Sequence, residues 1–147
     1  MKLLALIFLV YCSICNHAQI KNPFLTLKYD SLVMYHYSPP HDSTYIIDKR
    51  GRLNPHVKSR VRLDDATAKD FNTRIGLPES YGGMRAKCFM PHLAFVYYRN
   101  ETPVANIIIC LGCNYFIPSI DVPAQKNAKW AGMSPEFKRY VSNQGGK

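Results

Sequence analysis

The sequence predicts a small α+β domain: a mainly antiparallel sheet packed by one main helix, with a short helix near the C-terminus. Three observations predict it. Residues 93–99 and 104–110 are rich in aliphatic, β-branched and aromatic side chains, and the turn-forming Asn100-Glu-Thr-Pro103 separates them. Residues 31–37 and 57–63 alternate with the two-residue period of a strand, and residues 65–75 place apolar side chains at helical spacing.

Ahead of these elements stands an export signal. Lys2 gives a positive start, residues 3–11 are apolar, and a short segment ends in the small residue Ala18. The apolar stretch is too short to span a bilayer as a helix. Residues 1–18 therefore read as a signal peptide, and residues 19–147 as one small domain in the periplasm or outside the cell. Lipid anchoring would need Cys12 or Cys15 to follow a small residue, and Tyr11 and Ile14 precede them. The rest of the chain has no apolar run long enough to form a transmembrane segment.

Residues 19–28 read as irregular. In residues 31–37, Leu32, Met34 and His36 alternate with Val33, Tyr35 and Tyr37. A loop at Pro39-Pro-His-Asp42 leads to a second strand at residues 44–48. Asp48-Lys-Arg-Gly51 reads as a hairpin turn, because glycine adopts the left-handed conformation such a turn needs. Arg52 and Leu53 would begin the return strand. In residues 57–63 the cations Lys58, Arg60 and Arg62 fall on one side of the alternation, which makes them a basic stripe. The stripe is either a docking surface for an anionic partner or a charged edge that discourages aggregation.

The main helix is placed at residues 65–75. Asp64 caps it, Ala68, Phe71 and Ile75 form its apolar stripe, and Gly76 with Pro78 stops it. Residues 79–87 read as a loop. Pro118 and Pro123 make residues 114–129 unsuited to a long helix. A short helix begins after Ser134, with Pro135 in its first position and Phe137, Tyr140 and Val141 on one face. Residues 143–147 should fray.

If residues 100–103 form the loop of a hairpin, Arg99 faces Val104, Leu93 faces Cys110 and Met90 faces Cys113. That register collects Cys88, His92, Cys110 and Cys113 at one end of the hairpin. Three chemistries are open to the set. In an oxidising compartment, two of the cysteines would pair and one would stay free. Three cysteines and a histidine also match a structural zinc set, with Cys110-Leu-Gly-Cys113 at the spacing of one half. The same dithiol could exchange disulfides if one thiol were made acidic, although Asn114-Tyr-Phe-Ile-Pro118 cannot start the long helix that follows a thioredoxin-type dithiol.

Other enzyme templates are missing: the sequence has no P-loop, dinucleotide fingerprint, Gly-x-Ser-x-Gly elbow or His-Glu-x-x-His. The formal net charge of +9 favours anionic partners, which for an exported protein means envelope components. No nucleic-acid motif accompanies that charge, and no aromatic side chain interleaves the cations of residues 57–63. The sequence thus predicts a non-enzymatic binding or envelope-associated protein with a structural cysteine cluster and no cofactor. The alternative is a thiol-based zinc or redox protein.

Cys88-Phe-Met-Pro91, the aromatic strand after it and Ile109-Cys-Leu-Gly-Cys113 together resemble a group of short exported bacterial proteins of unknown function. Their shared pattern is a signal peptide, a Cys-x-x-Pro segment, a hairpin and an Ile-Cys-x-x-Cys ending. The resemblance implies export and a shared cysteine cluster. His92 departs from it, standing where such proteins carry arginine.

The leader generates the first prediction. The mature protein should begin at Gln19 and carry no lipid, which intact mass and N-terminal sequencing will check; a diacylated cysteine would contradict it.

Overall fold

A computed structural model describes residues 22–40 and 44–144, so the expected signal peptide, residues 41–43 and the last three residues of the expected fraying end lie outside the described residues. The expected α+β class is what the chain adopts. Five antiparallel strands form the main sheet: β1 (Ser31–Tyr37), β2 (Val57–Arg62), β4 (Leu93–Arg99), β5 (Thr102–Cys110) and β6 (Tyr115–Pro118). Their spatial order is β2-β1-β4-β5-β6. A two-stranded ribbon pairs β3 (Tyr81–Gly83) with β7 (Gly132–Met133). The helices are α1 (Pro23–Thr26), α2 (Asp65–Ile75), α3 (Pro123–Lys126) and α4 (Pro135–Asn143).

Alternation in β4 decides the layering. Leu93, Phe95 and Tyr97 point to one face and Ala94 and Val96 to the other, and all five are buried. On the first face they meet α2 and α4: Phe71 stacks on Phe95 with ring centroids 4.2 Å apart, and Phe137 lies 5.6 Å from Phe116. Tyr97 donates its hydroxyl to the side-chain carbonyl of buried Asn72 at 2.7 Å, so the polar atoms carried inward by α2 are matched. On the second face Tyr35, Tyr37, Ala94, Val96 and Ile108 pack against Ile46. The covering here is a chain segment instead of a helix. Tyr37 donates to the Thr44 carbonyl at 2.9 Å, and Asn54 ties the segment to itself through the Tyr45 carbonyl at 2.7 Å.

Both capping signals operate as expected. Asp64 accepts the Thr67 amide at 2.8 Å, and these hydrogen bonds hold its carboxyl below its ordinary range. Ser134 accepts the Phe137 amide at 3.3 Å, with Pro135 in the first turn of α4. Gly76 ends α2 by a different route from the one expected. Its φ is −84°, a value open to any residue, but a Cβ there would lie 2.7 Å from the Cβ of Asn22 and nearer still to its amide. The glycine makes room. Asn22 uses that room to accept the Phe24 amide and to donate to the Asn72 carbonyl at 2.7 Å, which docks α1 on α2.

Five expectations need correction. The hairpin turn is two residues long: Asn100 and Glu101 both adopt positive φ, at 49° and 63°, and Arg99 pairs with Thr102. This turn twists with its strands, which a four-residue loop is not required to do. A bulge near Tyr97 and Tyr98 then leaves Val104 without a pairing partner, so Leu93 faces Ile109 and not Cys110. Residues 44–48 form no strand; a single bridge joins Ile47 to Leu53, because the segment lies across the sheet instead of extending it. Its turn does form, with the Gly51 amide donating to the Asp48 carbonyl at 3.0 Å and Gly51 at φ +76°. Residues 79–87 are not simply a loop, since they begin in a 3₁₀ turn (Pro78–Ser80) and β3. Residues 23–26, expected to be irregular, form α1.

The stacked pair at the centre of the helical face generates the second prediction. Phe71→Ala should destabilise the protein by about 3–5 kcal/mol, because it removes a fully buried ring and leaves a cavity against Phe95. Denaturant unfolding measures this, and a loss below about 1 kcal/mol would mean that α2 is not packed on the sheet in this way.

Candidate functional site

The sulfur cluster forms where β5 ends. Cys110 is the last residue of that strand, residues 111–114 make the turn into β6, and Asn114 adopts φ 56° to close it. The backbone of this turn then receives the segment leading to β4, as the Ala86 amide donates to the Cys113 carbonyl at 2.9 Å. Arg85 lies over the Tyr115 ring at 4.8 Å and Phe89 lies 5.3 Å from the same ring. These contacts bring Cys88 Sγ within 2.9 Å of Cys113 Sγ. The sulfurs touch without being bonded, since a disulfide needs about 2.05 Å.

Cys110 belongs to the same cluster but faces inward. It is on the same sheet face as Ile108, in keeping with the corrected register, and is buried with Cys113. Its sulfur accepts the Cys113 amide at 3.2 Å. Burial pushes the Cys110 thiol up, and its hydrogen bond with the Cys113 thiol adds to that effect. Cys88 alone among the three is exposed.

His92 takes no part in the sulfur cluster. Its Nδ1 lies 3.2 Å from the Tyr37 carbonyl, and its side chain is exposed. Among the described residues, no three of His, Cys, Asp and Glu converge as a metal would require. Of the expected zinc set, Cys88 meets Cys113, Cys110 accepts the Cys113 amide, and His92 is directed elsewhere.

A second feature lies at the β2 edge of the other sheet face. The covering segment reaches Leu53 and leaves a cleft of about 540 Å³ between itself, β1, β2 and the end of β4. Val33, Tyr35 and Tyr98 line it from the sheet, Leu53 from the covering segment, and Arg60 and Arg62 from β2. Strand pairing sets this arrangement: Arg62 lies opposite Val33 and Arg60 opposite Tyr35. Lys58, the third cation expected in the stripe, falls where a register shift lets Tyr37 pair with Val57, and it does not border the cleft. The Tyr35 and Tyr98 hydroxyls are 2.9 Å apart. Burial raises the Tyr98 phenol above its ordinary range, while the nearby Arg60 charge opposes the shift.

The cleft escaped the sequence reading, although the alternation of Val33, Tyr35 and Tyr37 and that of Arg60 and Arg62 were both visible. The missing information was that β2 pairs with β1. No family model, curated protein or solved structure matches this chain.

The exposure of Cys88 and the raised thiol of Cys110 generate the third prediction. Alkylating the reduced native protein should label Cys88 first and Cys110 last, which peptide mass mapping over time will resolve. Simultaneous labelling would show that the cluster is open.

Proposed function

We propose that this chain is an exported, non-enzymatic binding or envelope-associated protein whose cysteines serve structure. The observation that carries the reading is the disposition of the sulfurs: Cys88 and Cys113 are in contact at 2.9 Å, while Cys110 is buried with its thiol form favoured. A catalytic Cys-x-x-Cys dithiol needs an accessible sulfur whose thiolate is stabilised by a cation or a helix N-terminus, whereas Cys110 and Cys113 are both buried. Here the dithiol occupies a strand end and a tight turn, and β6 follows it directly.

In an oxidising compartment, a disulfide donor would convert the Cys88 and Cys113 thiols into one S–S bond. Both thiol protons are lost and the donor is reduced to two thiols, which balances the exchange. The bridge would fasten the segment before β4 to the β5–β6 turn. Support for export comes from the leader at residues 1–18 and from the resemblance to short exported proteins carrying the same cysteine pattern. The net charge of +9, or 9 − 1 = +8 once Lys2 leaves with the leader, and the arginines of the cleft support an anionic envelope component as partner.

Oxidised protein should therefore contain one Cys88–Cys113 disulfide and one free thiol, Cys110. Reduction should lower stability by about 2–4 kcal/mol, as loss of a loop-closing bridge does. Thiol titration, peptide mapping and denaturant unfolding before and after reduction measure both. Near one metal ion per chain, with stability lost on chelation instead, would replace this reading with the zinc one. Three free thiols, no metal and no change on reduction would overturn both.

A further inference from the structure

We propose that the cleft at the β2 edge binds a compact organic oxyanion, a phosphate- or carboxylate-bearing molecule with an apolar body, held by Arg60 and Arg62. This inference deepens the binding reading above and does not depend on how the cysteines pair.

Two arginines border the cleft without an ion pair among the described residues. Among the described residues the ion pairs are Arg52–Asp48, Arg74–Asp70 and Lys126–Asp121, and neither Arg60 nor Arg62 is in one. Among the described residues, the Arg62 side chain donates to the Asp30 backbone carbonyl alone, at 3.2 Å. Two residues apart on one strand, both guanidinium groups border the same cleft. Each offers a planar fork of donors suited to a phosphate or carboxylate.

Two carboxylates, those of Asp30 and Glu101, line the cleft as well. Asp30 is committed to the hairpin, its Oδ2 accepting the Asn100 amide at 2.7 Å, and Glu101 lies exposed in the turn itself. Arg62 lies beside Asp30, whose backbone carbonyl it meets, whereas Arg60 stands opposite Tyr35, farther along β1 from the hairpin end. An anionic head is favoured beside Arg60, on the side away from both carboxylates.

The surface between is apolar. Val33 is half-buried and Leu53 is 37% exposed, so both present hydrocarbon to whatever enters, and the paired Tyr35 and Tyr98 hydroxyls add a polar contact. The cleft is open to solvent, and its volume of about 540 Å³ admits a small molecule lying against the sheet. An extended polyanion would be recognised by a long basic track, and the unpaired position of Lys58 interrupts such a track.

Phenyl phosphate, benzoate and benzyl alcohol are the probes, titrated into the purified protein and followed by calorimetry and by amide NMR shifts. The two anions should bind saturably, one per chain, with the largest shifts at Val33, Leu53, Arg60, Arg62 and Tyr98. Benzyl alcohol should bind at least about tenfold more weakly, the factor expected for a lost hydrogen bond to a charged group. Arg60→Gln and Arg62→Gln should each cost about tenfold in the affinity of both anions. Arg60→Lys with Arg62→Lys keeps the edge charged and the protein soluble; it should still weaken binding by removing the planar forks. Unfolding midpoints confirm that each variant is folded.

The proposal is overturned if neither anion saturates, if benzyl alcohol binds as well as they do, or if the shifts fall elsewhere. Arginine-dependent binding to anionic lipid vesicles without saturation by the small anions would also overturn it, making the face a membrane contact. A ranking of phenyl phosphate against benzoate identifies the preferred head. Failure here leaves the thiol results intact, so the two readings fail separately.

Discussion

The structure depends on burying β4 on both faces. No side chain from Leu93 to Tyr97 is more than 2% exposed, and a strand in that position needs cover above and below. Helices α2 and α4 supply one cover through aromatic contacts. The other is a short irregular segment anchored by the Tyr37 hydroxyl and by Asn54. A helix pair spans the sheet, but a segment of this length does not reach the edge. The cleft beside β2 is the part of the second face left over.

The cysteine chemistry also follows from β4, through the turn at Asn100–Glu101. Because side chains in a strand alternate, a shift of one residue exchanges its faces. With Leu93 opposite Ile109, the aliphatic side chains of β5 at Ile107 and Ile109 go to the helical core, and Cys110 goes to the tyrosine face. Cys113 is left in the turn, where Cys88 can reach it. One turn geometry thereby separates a buried sulfur from a pair of touching ones.

Local signals were legible in the sequence. Asp64 and Ser134 cap the helices they were expected to cap, since a cap is read from a few consecutive residues. The Asp48–Gly51 turn was legible too, and so was the placing of Cys88 at the hairpin end that carries the dithiol, although which sulfur it meets was not. What was not legible depended on distant partners. The ribbon of Tyr81–Gly83 with Gly132–Met133 joins segments with no periodicity of their own, each too short to show one. The hairpin register turned on whether Thr102 and Pro103 belong to the loop or to the strand, which composition alone does not decide. For the cleft, the arginine stripe was visible but its neighbours were set by the β2–β1 pairing.

Gly76 carries a consequence for how this sequence can drift. A glycine after a helix is commonly exchanged for asparagine, the residue that best shares its left-handed preference. That exchange is closed here, because the space and not the backbone angle is what position 76 provides. Position 22 would have to shrink first, and it could do so only by giving up the amide that joins the first helical turn to α2. The two positions are therefore coupled: descendants of this chain should change them together or not at all.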